Sequence, residues 1–122
     1  MPTFESFKDA ENYYATLAHE CTHWTGSKTR LDRDFGGHRF GSEGYAVEEL
    51  VAELGAAFLC ADLELALEPR EDHASYIATW LRVLAADNRA VFTAATHAQR
   101  AAEFINRRAT EGAAQVTTTC AA

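Results

Sequence analysis

The sequence predicts a mainly α-helical domain of about four main helices, and three observations carry that expectation. Leucine, alanine and aromatic residues are plentiful and recur at three- and four-residue intervals. Only two prolines and seven glycines interrupt them, which favours helices over a sandwich or barrel. A chain of 122 residues is long enough for one domain with a core of its own, and too short for two.

Residues 1–5 form an entry segment. Ser6, followed three positions later by Asp9, resembles a helix start, so the first helix is expected from about Ser6 to Trp24. Thr25-Gly26-Ser27 then closes it, since glycine accepts the left-handed conformation that ends helices. Gly36, Gly37, Gly41 and Gly44 mark Asp32 to Gly44 as a loop leaving the end of that helix. The second helix reads from about Tyr45 to Leu65, with Ala46, Leu50, Leu54, Ala57, Phe58 and Ala61 on one stripe. Gly55 inside it costs about 1 kcal/mol relative to alanine, which predicts a close neighbour against the backbone there.

Glu68 to Asp72 is a break, and Asp72 caps a third helix through Tyr76, Ile77, Trp80, Leu81 and Leu84 to about Asp87 or Asn88. The fourth runs from about Arg89 to Thr110, with Val91, Phe92, Ala95, Ala98, Ala102 and Ile105 at helical intervals. Glu111 to Ala122 is small and polar without a period. It is expected to be a disordered tail, which leaves residues 1–110 as the domain.

Composition excludes several functions. Eighteen acidic against eleven basic residues give a formal charge of −7, the wrong sign for a surface that gains affinity by releasing phosphate counterions. Arg100, Arg107 and Arg108 are too small a basic group to reverse that. Cys21, Cys60 and Cys120 are odd in number and lack CxxC spacing, so neither a disulfide framework nor a cysteine zinc cage is indicated. No start signal for secretion and no apolar run near the ~20 residues of a membrane span are present, and a cytoplasmic protein without membrane contact is expected.

The chemistry concentrates in Tyr14 to Trp24, where His19-Glu20-Cys21-Thr22-His23 has the HExxH pattern. A helix puts residues i and i+4 on one face, roughly 6 Å apart along the axis, so both imidazoles can reach one metal ion. Glu20, turned about 100° around the axis, is placed to hold a water rather than to ligate. A catalytic zinc takes three protein ligands, so a third must come from elsewhere. Glu49 and Glu53 lie four apart on the second helix, beside its apolar stripe. Glu49 is assigned as the third ligand and Glu53 as the carboxylate that holds a ligating histidine by its other ring nitrogen. The spacing leaves the opposite assignment open; the alternative for these acids is a solvated face, which Glu48 could form while Glu49 and Glu53 point inward.

The segments YYATLAHECTHWTG, RLDRDFG, YAVEELVAELGAAFLC, HASYIATWLRVLAAD and AVFTAATHAQRAAEFI together resemble the C-terminal zincin-like metallopeptidase domain of ArdC-type antirestriction proteins. The resemblance covers Met1 to about Ile105. It implies a helical zincin whose usual small β-sheet is reduced or missing here. It carries the zinc-site pattern of a later-helix glutamate onto His19, Glu20, His23 and Glu49, with Glu53 in support. Such proteins are carried by plasmids, phages and other mobile elements and add an N-terminal domain that binds single-stranded DNA. This chain begins where the metallopeptidase half would begin, so single-stranded DNA is expected as a partner only through that absent domain.

The expected activity is hydrolysis of an amide bond in a protein or peptide substrate. Zn2+ is the expected cofactor, though the ligands also suit other divalent transition metals. Glu20 serves as the base, and Tyr45, His38 or Arg39 is the candidate donor to the developing oxyanion. An alternative is a metal-stabilised binding module that contacts a restriction-system protein with little or no hydrolysis; a third is a helical bundle with a vestigial motif. Cys21 projects away from the histidine face, Trp24 and Trp80 are core or site-wall aromatics, and His73 and His97 are helix-start and helix-surface residues rather than ligands.

Overall fold

Helix α2, Glu43–Asp62, is the central element of the computed structural model, which describes residues 1–37, 42–65 and 74–120. Helices α1 (Ala10–Thr25), α3 (Ala74–Ala86) and α4 (Ala90–Cys120) all pack against it, and α1 and α4 also touch each other. A 3-10 turn, Phe4–Ser6, precedes α1. No strand is present among the described residues, in keeping with a mainly α zincin-like domain.

Local chemistry sets the helix ends and corrects several expected boundaries. Asp9, not Ser6, caps α1: its carboxylate accepts from the Asn12 backbone N–H at 2.8 Å and from Asn12 Nδ2 at 2.9 Å. Ser42 caps α2 by accepting from the Tyr45 N–H, so that helix starts before Tyr45. It ends at Asp62 rather than Leu65, where Glu64 takes a positive φ of 55°. Gly26 follows α1 with φ −72°, so left-handed freedom is not its purpose. A Cβ at Gly26 would lie 2.8 Å from Arg33 Nη2, and the missing side chain makes room for that guanidinium. The expected cap Asp72 lies outside the described residues.

Helix α4 continues past Thr110 through the segment from Glu111 expected to be disordered. Every described side chain from Asn106 to Thr118 is exposed. Apolar periodicity reports burial, and these residues have nothing to bury against. The hydroxyls of Thr110, Thr117 and Thr118 donate to carbonyls four residues back, and no proline stops the helix.

The core consists of small residues. Ala18, Ala56, Leu59, Cys60 and Ala102 form one buried cluster between α1, α2 and α4, and Val51, Ala94 and Ala98 form a second between α2 and α4. The buried face of α2 therefore runs through Ala46, Ala52, Ala56 and Leu59, while Phe58 and Ala61 of the expected stripe are exposed. Ile77 and Leu81 of α3 and Val91 and Phe92 of α4 are likewise exposed: α4 meets α2 through Ala94 and Ala98, α3 meets it through Trp80, and Phe104 is buried.

With side chains this small, helix axes approach closely. A close approach lies at Gly55, as its place in the helix predicted: an added Cβ would meet Thr22 Cγ2 at 2.5 Å and Oγ1 at 2.7 Å. Thr22 is fully buried and its hydroxyl donates to Ala18 O at 2.9 Å, which fixes the rotamer. Gly55→Ala is expected to lower the midpoint of chemical unfolding, overpacking by about 1–3 kcal/mol outweighing roughly 1 kcal/mol of gained helix propensity. Adding Thr22→Ala should restore part of the loss. A higher midpoint for Gly55→Ala alone would show that α1 can yield there.

Candidate metal centre

His19 and His23 project from the side of α1 that meets α2, His19 buried and His23 half-buried. Their Nε2 atoms lie 3.1 Å apart. The buried carboxylate of Glu49 reaches both from α2, Oε2 standing 3.5 Å from His19 Nε2 and Oε1 standing 3.2 Å from His23 Nε2. Each residue offers one ligand atom within 4.8 Å of the others, a group able to hold a metal ion among the described residues.

The remaining ring nitrogens also face carboxylates. His19 Nδ1 lies 2.9 Å from Glu53 Oε1, a close ionic contact that lacks hydrogen-bond alignment. His23 Nδ1 lies 3.1 Å from Glu48 Oε1. At His23 the Glu48 acceptor favours a proton on Nδ1, which leaves Nε2 as the atom that would turn its lone pair toward the shared point once a metal takes the place of its proton. Two imidazole nitrogens and a carboxylate oxygen converging in this way match the donor chemistry of a divalent transition metal.

Glu48 is not the solvated face that the sequence suggested. It pairs with Arg33, whose Nε donates to Oε2 at 2.7 Å and whose Nη2 donates to Oε1 at 2.6 Å. Arg33 is buried, on the segment that returns along the end of α1. Spacing within the helices does not single out Arg33. The RLDRDFG segment containing Arg33 was visible as a motif, but no helical or strand period marks a loop arginine as inward-facing.

Glu20 is exposed and lines an open cleft of about 490 Å³ together with His23, Trp24, Tyr45 and Glu49. Tyr45 is half-buried one turn before Glu49. Trp24 stands on the rim, 52% exposed, with Arg30 Cζ 3.9 Å from its ring centroid, so it walls the site rather than filling the core. Trp80 is half-buried and donates through Nε1 to Ala46 O at 2.8 Å. Cys21 is half-buried, away from the histidine nitrogens. His97 is not simply a surface residue: its ring packs edge-on to Phe35 at 5.2 Å. His38, Arg39 and His73 lie outside the described residues.

Electrostatics couples the cluster. Burial disfavours charge on both histidines, yet nearby carboxylates outweigh it: Glu49 and Glu53 raise His19, and Glu48 and Glu49 raise His23 to about 9. Burial likewise pushes Glu48 and Glu49 upward. Arg33 and His23 hold Glu48 below its ordinary value, and His19 and His23 hold Glu49 far below.

A family model described as zincin-like metallopeptidase matches residues 1–97. The uncharacterized protein y4eC of Sinorhizobium fredii is 56% identical over 106 residues, covering 87% of this chain and 34% of that protein. A DNA primase TraC of Escherichia coli is 44% identical over 105 residues, covering 86% of this chain and 10% of its own length. The chain thus spans about a third or less of the curated relatives it matches. Among solved structures, the Mn(II)-bound antirestriction protein ArdC from plasmid R388 is 48% identical with a TM-score of 0.77, covering 88% of this chain and 39% of that one. Its metal-free form has the same identity and TM-score. No described helix is long and apolar enough to cross a membrane.

A metal at the paired Nε2 atoms must displace the proton that His23 holds up to about pH 9. Affinity is therefore expected to rise with pH across the neutral range and level off near 9. Calorimetric titration of Zn2+ at pH 7.5, in two buffers of different ionisation enthalpy, should show release of about one proton or more per metal bound. Binding without proton release would contradict this electrostatic account.

Proposed function

The chain belongs to the zincin-like metallopeptidase family, and we propose that it is a zinc-dependent hydrolytic unit of an ArdC-type antirestriction protein, cleaving an amide bond in a protein or peptide. The observation that carries this reading is the convergence of His19, His23 and Glu49 beside a cleft with Glu20 on its wall. The likeness to ArdC supports the antirestriction setting, and its Mn(II)-bound form supports a divalent ion.

His19 and His23 would hold the ion through Nε2, and Glu49 through its carboxylate. When bound, the ion supplies positive charge that eases deprotonation of water and polarises a carbonyl oxygen. Glu20 takes the proton of the attacking water and returns it to the leaving amine. Its exposed carboxylate on the cleft wall suits a group that must meet both water and substrate. Tyr45, on the same cleft, is the candidate donor to the developing oxyanion. Glu53 and Glu48 keep the two imidazoles oriented, so that the ligand atoms stay in place while charge moves.

Glu20→Gln is expected to keep stoichiometric zinc and to lose about 10²–10⁴ in the rate of hydrolysis of casein or a mixed peptide library. Glu49→Ala should instead lose the metal. Unchanged hydrolysis by Glu20→Gln would refute its role as base. Zinc binding without cleavage, combined with full protection of incoming DNA by the Glu20→Gln form in cells, would favour the binding-module alternative.

A further inference from the structure

The hydrolytic reading leaves one buried charge without a purpose. The Arg33 side chain is 1% exposed and donates to Glu48 Oε1 at 2.6 Å and Oε2 at 2.7 Å, to Thr22 O at 2.9 Å and to Thr25 Oγ1 at 3.1 Å. Thr22 and Thr25 bracket His23 on α1, and Glu48 precedes Glu49 on α2. The Glu48 oxygen that accepts from Arg33 Nη2 is also the oxygen facing His23 Nδ1 at 3.1 Å.

We propose that Arg33 is a positioning residue of the metal site: its planar fork clamps Glu48 to the last turn of α1 in the orientation that aims His23 Nε2 at the point shared with His19 and Glu49. The inference rests on the reading of those three residues as metal ligands. A carboxylate held by a single partner can rotate about its terminal bond, whereas a bidentate guanidinium fixes its plane. The two further bonds to α1 make the clamp span both helices that carry ligands. Two residues on, Phe35 packs on the cluster of Val51, Ala94 and Ala98 and against the ring of His97 on α4, which anchors the segment that carries Arg33. Gly26 leaves the space through which the guanidinium reaches α1. Lysine cannot reproduce this arrangement, since a compact ammonium does not match both carboxylate oxygens in one plane.

The test measures Zn2+ affinity by competition with a chromophoric chelator, together with the visible d–d spectrum of the Co2+-loaded protein. For Arg33→Met with helical circular dichroism retained, the Kd for Zn2+ is expected to rise about 10–100-fold and the cobalt bands to shift, with Arg33→Lys recovering only part of the affinity. In a Glu48→Gln background the same substitution should add little, because both act through one contact. Arg33→Met that folds, binds Zn2+ as the unaltered chain does and gives the same cobalt spectrum overturns the proposal. Should Arg33→Met not fold, Glu48→Gln alone decides by the same two readouts, and unchanged affinity and spectrum overturn it. Failure of the unaltered chain to bind either metal would remove the ligand assignment and this inference together.

Discussion

The close crossing of α1 and α2, with Thr22 seated against the bare backbone of Gly55, is the constraint from which the site geometry follows. Thr22 lies between the two histidines in sequence, and Gly55 lies two residues beyond Glu53. Pushing the helices apart at this point would withdraw Glu49 and Glu53 from the imidazoles they face at 2.9–3.5 Å. The alanine-rich core serves the same end. Larger buried side chains would make a thicker interface, and a carboxylate as short as that of glutamate would no longer span it.

Bringing the helices together creates an electrostatic problem, since Glu48, Glu49 and Glu53 all enter the interface from α2. Arg33 and the two histidines answer it. Arg33 neutralises the Glu48 side of the cluster, and the imidazoles hold the carboxylates ionised. In the absence of an ion, the price is borne by the histidines, which are drawn toward their charged forms. A divalent cation at the shared point would relieve the same concentration of negative charge without those protons.

The architecture gives each part of the cleft a different degree of constraint. His19 is buried and caught between two carboxylates, so its ring has little freedom. Glu20, one residue later, faces open solvent in the cleft. Trp24 and Arg30 form a stacked rim at the cleft mouth, with Arg30 Nε also donating to the Trp24 carbonyl at 2.6 Å and so closing the end of α1. A rigid set of buried donors beside a solvated carboxylate and an exposed aromatic wall is an arrangement in which a substrate could reach the polar groups without disturbing the residues proposed to hold the metal.

The sequence by itself determined the helical class, the paired histidines on one helix face and the close contact at Gly55, because each follows from spacing within a single element. It also marked Glu49 and Glu53 as acids beside an apolar stripe. Reading Glu48 as solvated, Gly26 as a left-handed cap and the segment beyond Thr110 as unstructured went astray, because each depended on something outside the local pattern: a loop arginine, the space that arginine occupies, and a helix that persists without a partner. Only the tertiary structure decided which carboxylate meets which ring nitrogen and that Arg33 ties them to α1. The carboxylate pairings join residues from 15 positions apart, Arg33 with Glu48, to 34 apart, His19 with Glu53, and contacts across such separations are set by how helices pack, which no period within one helix encodes.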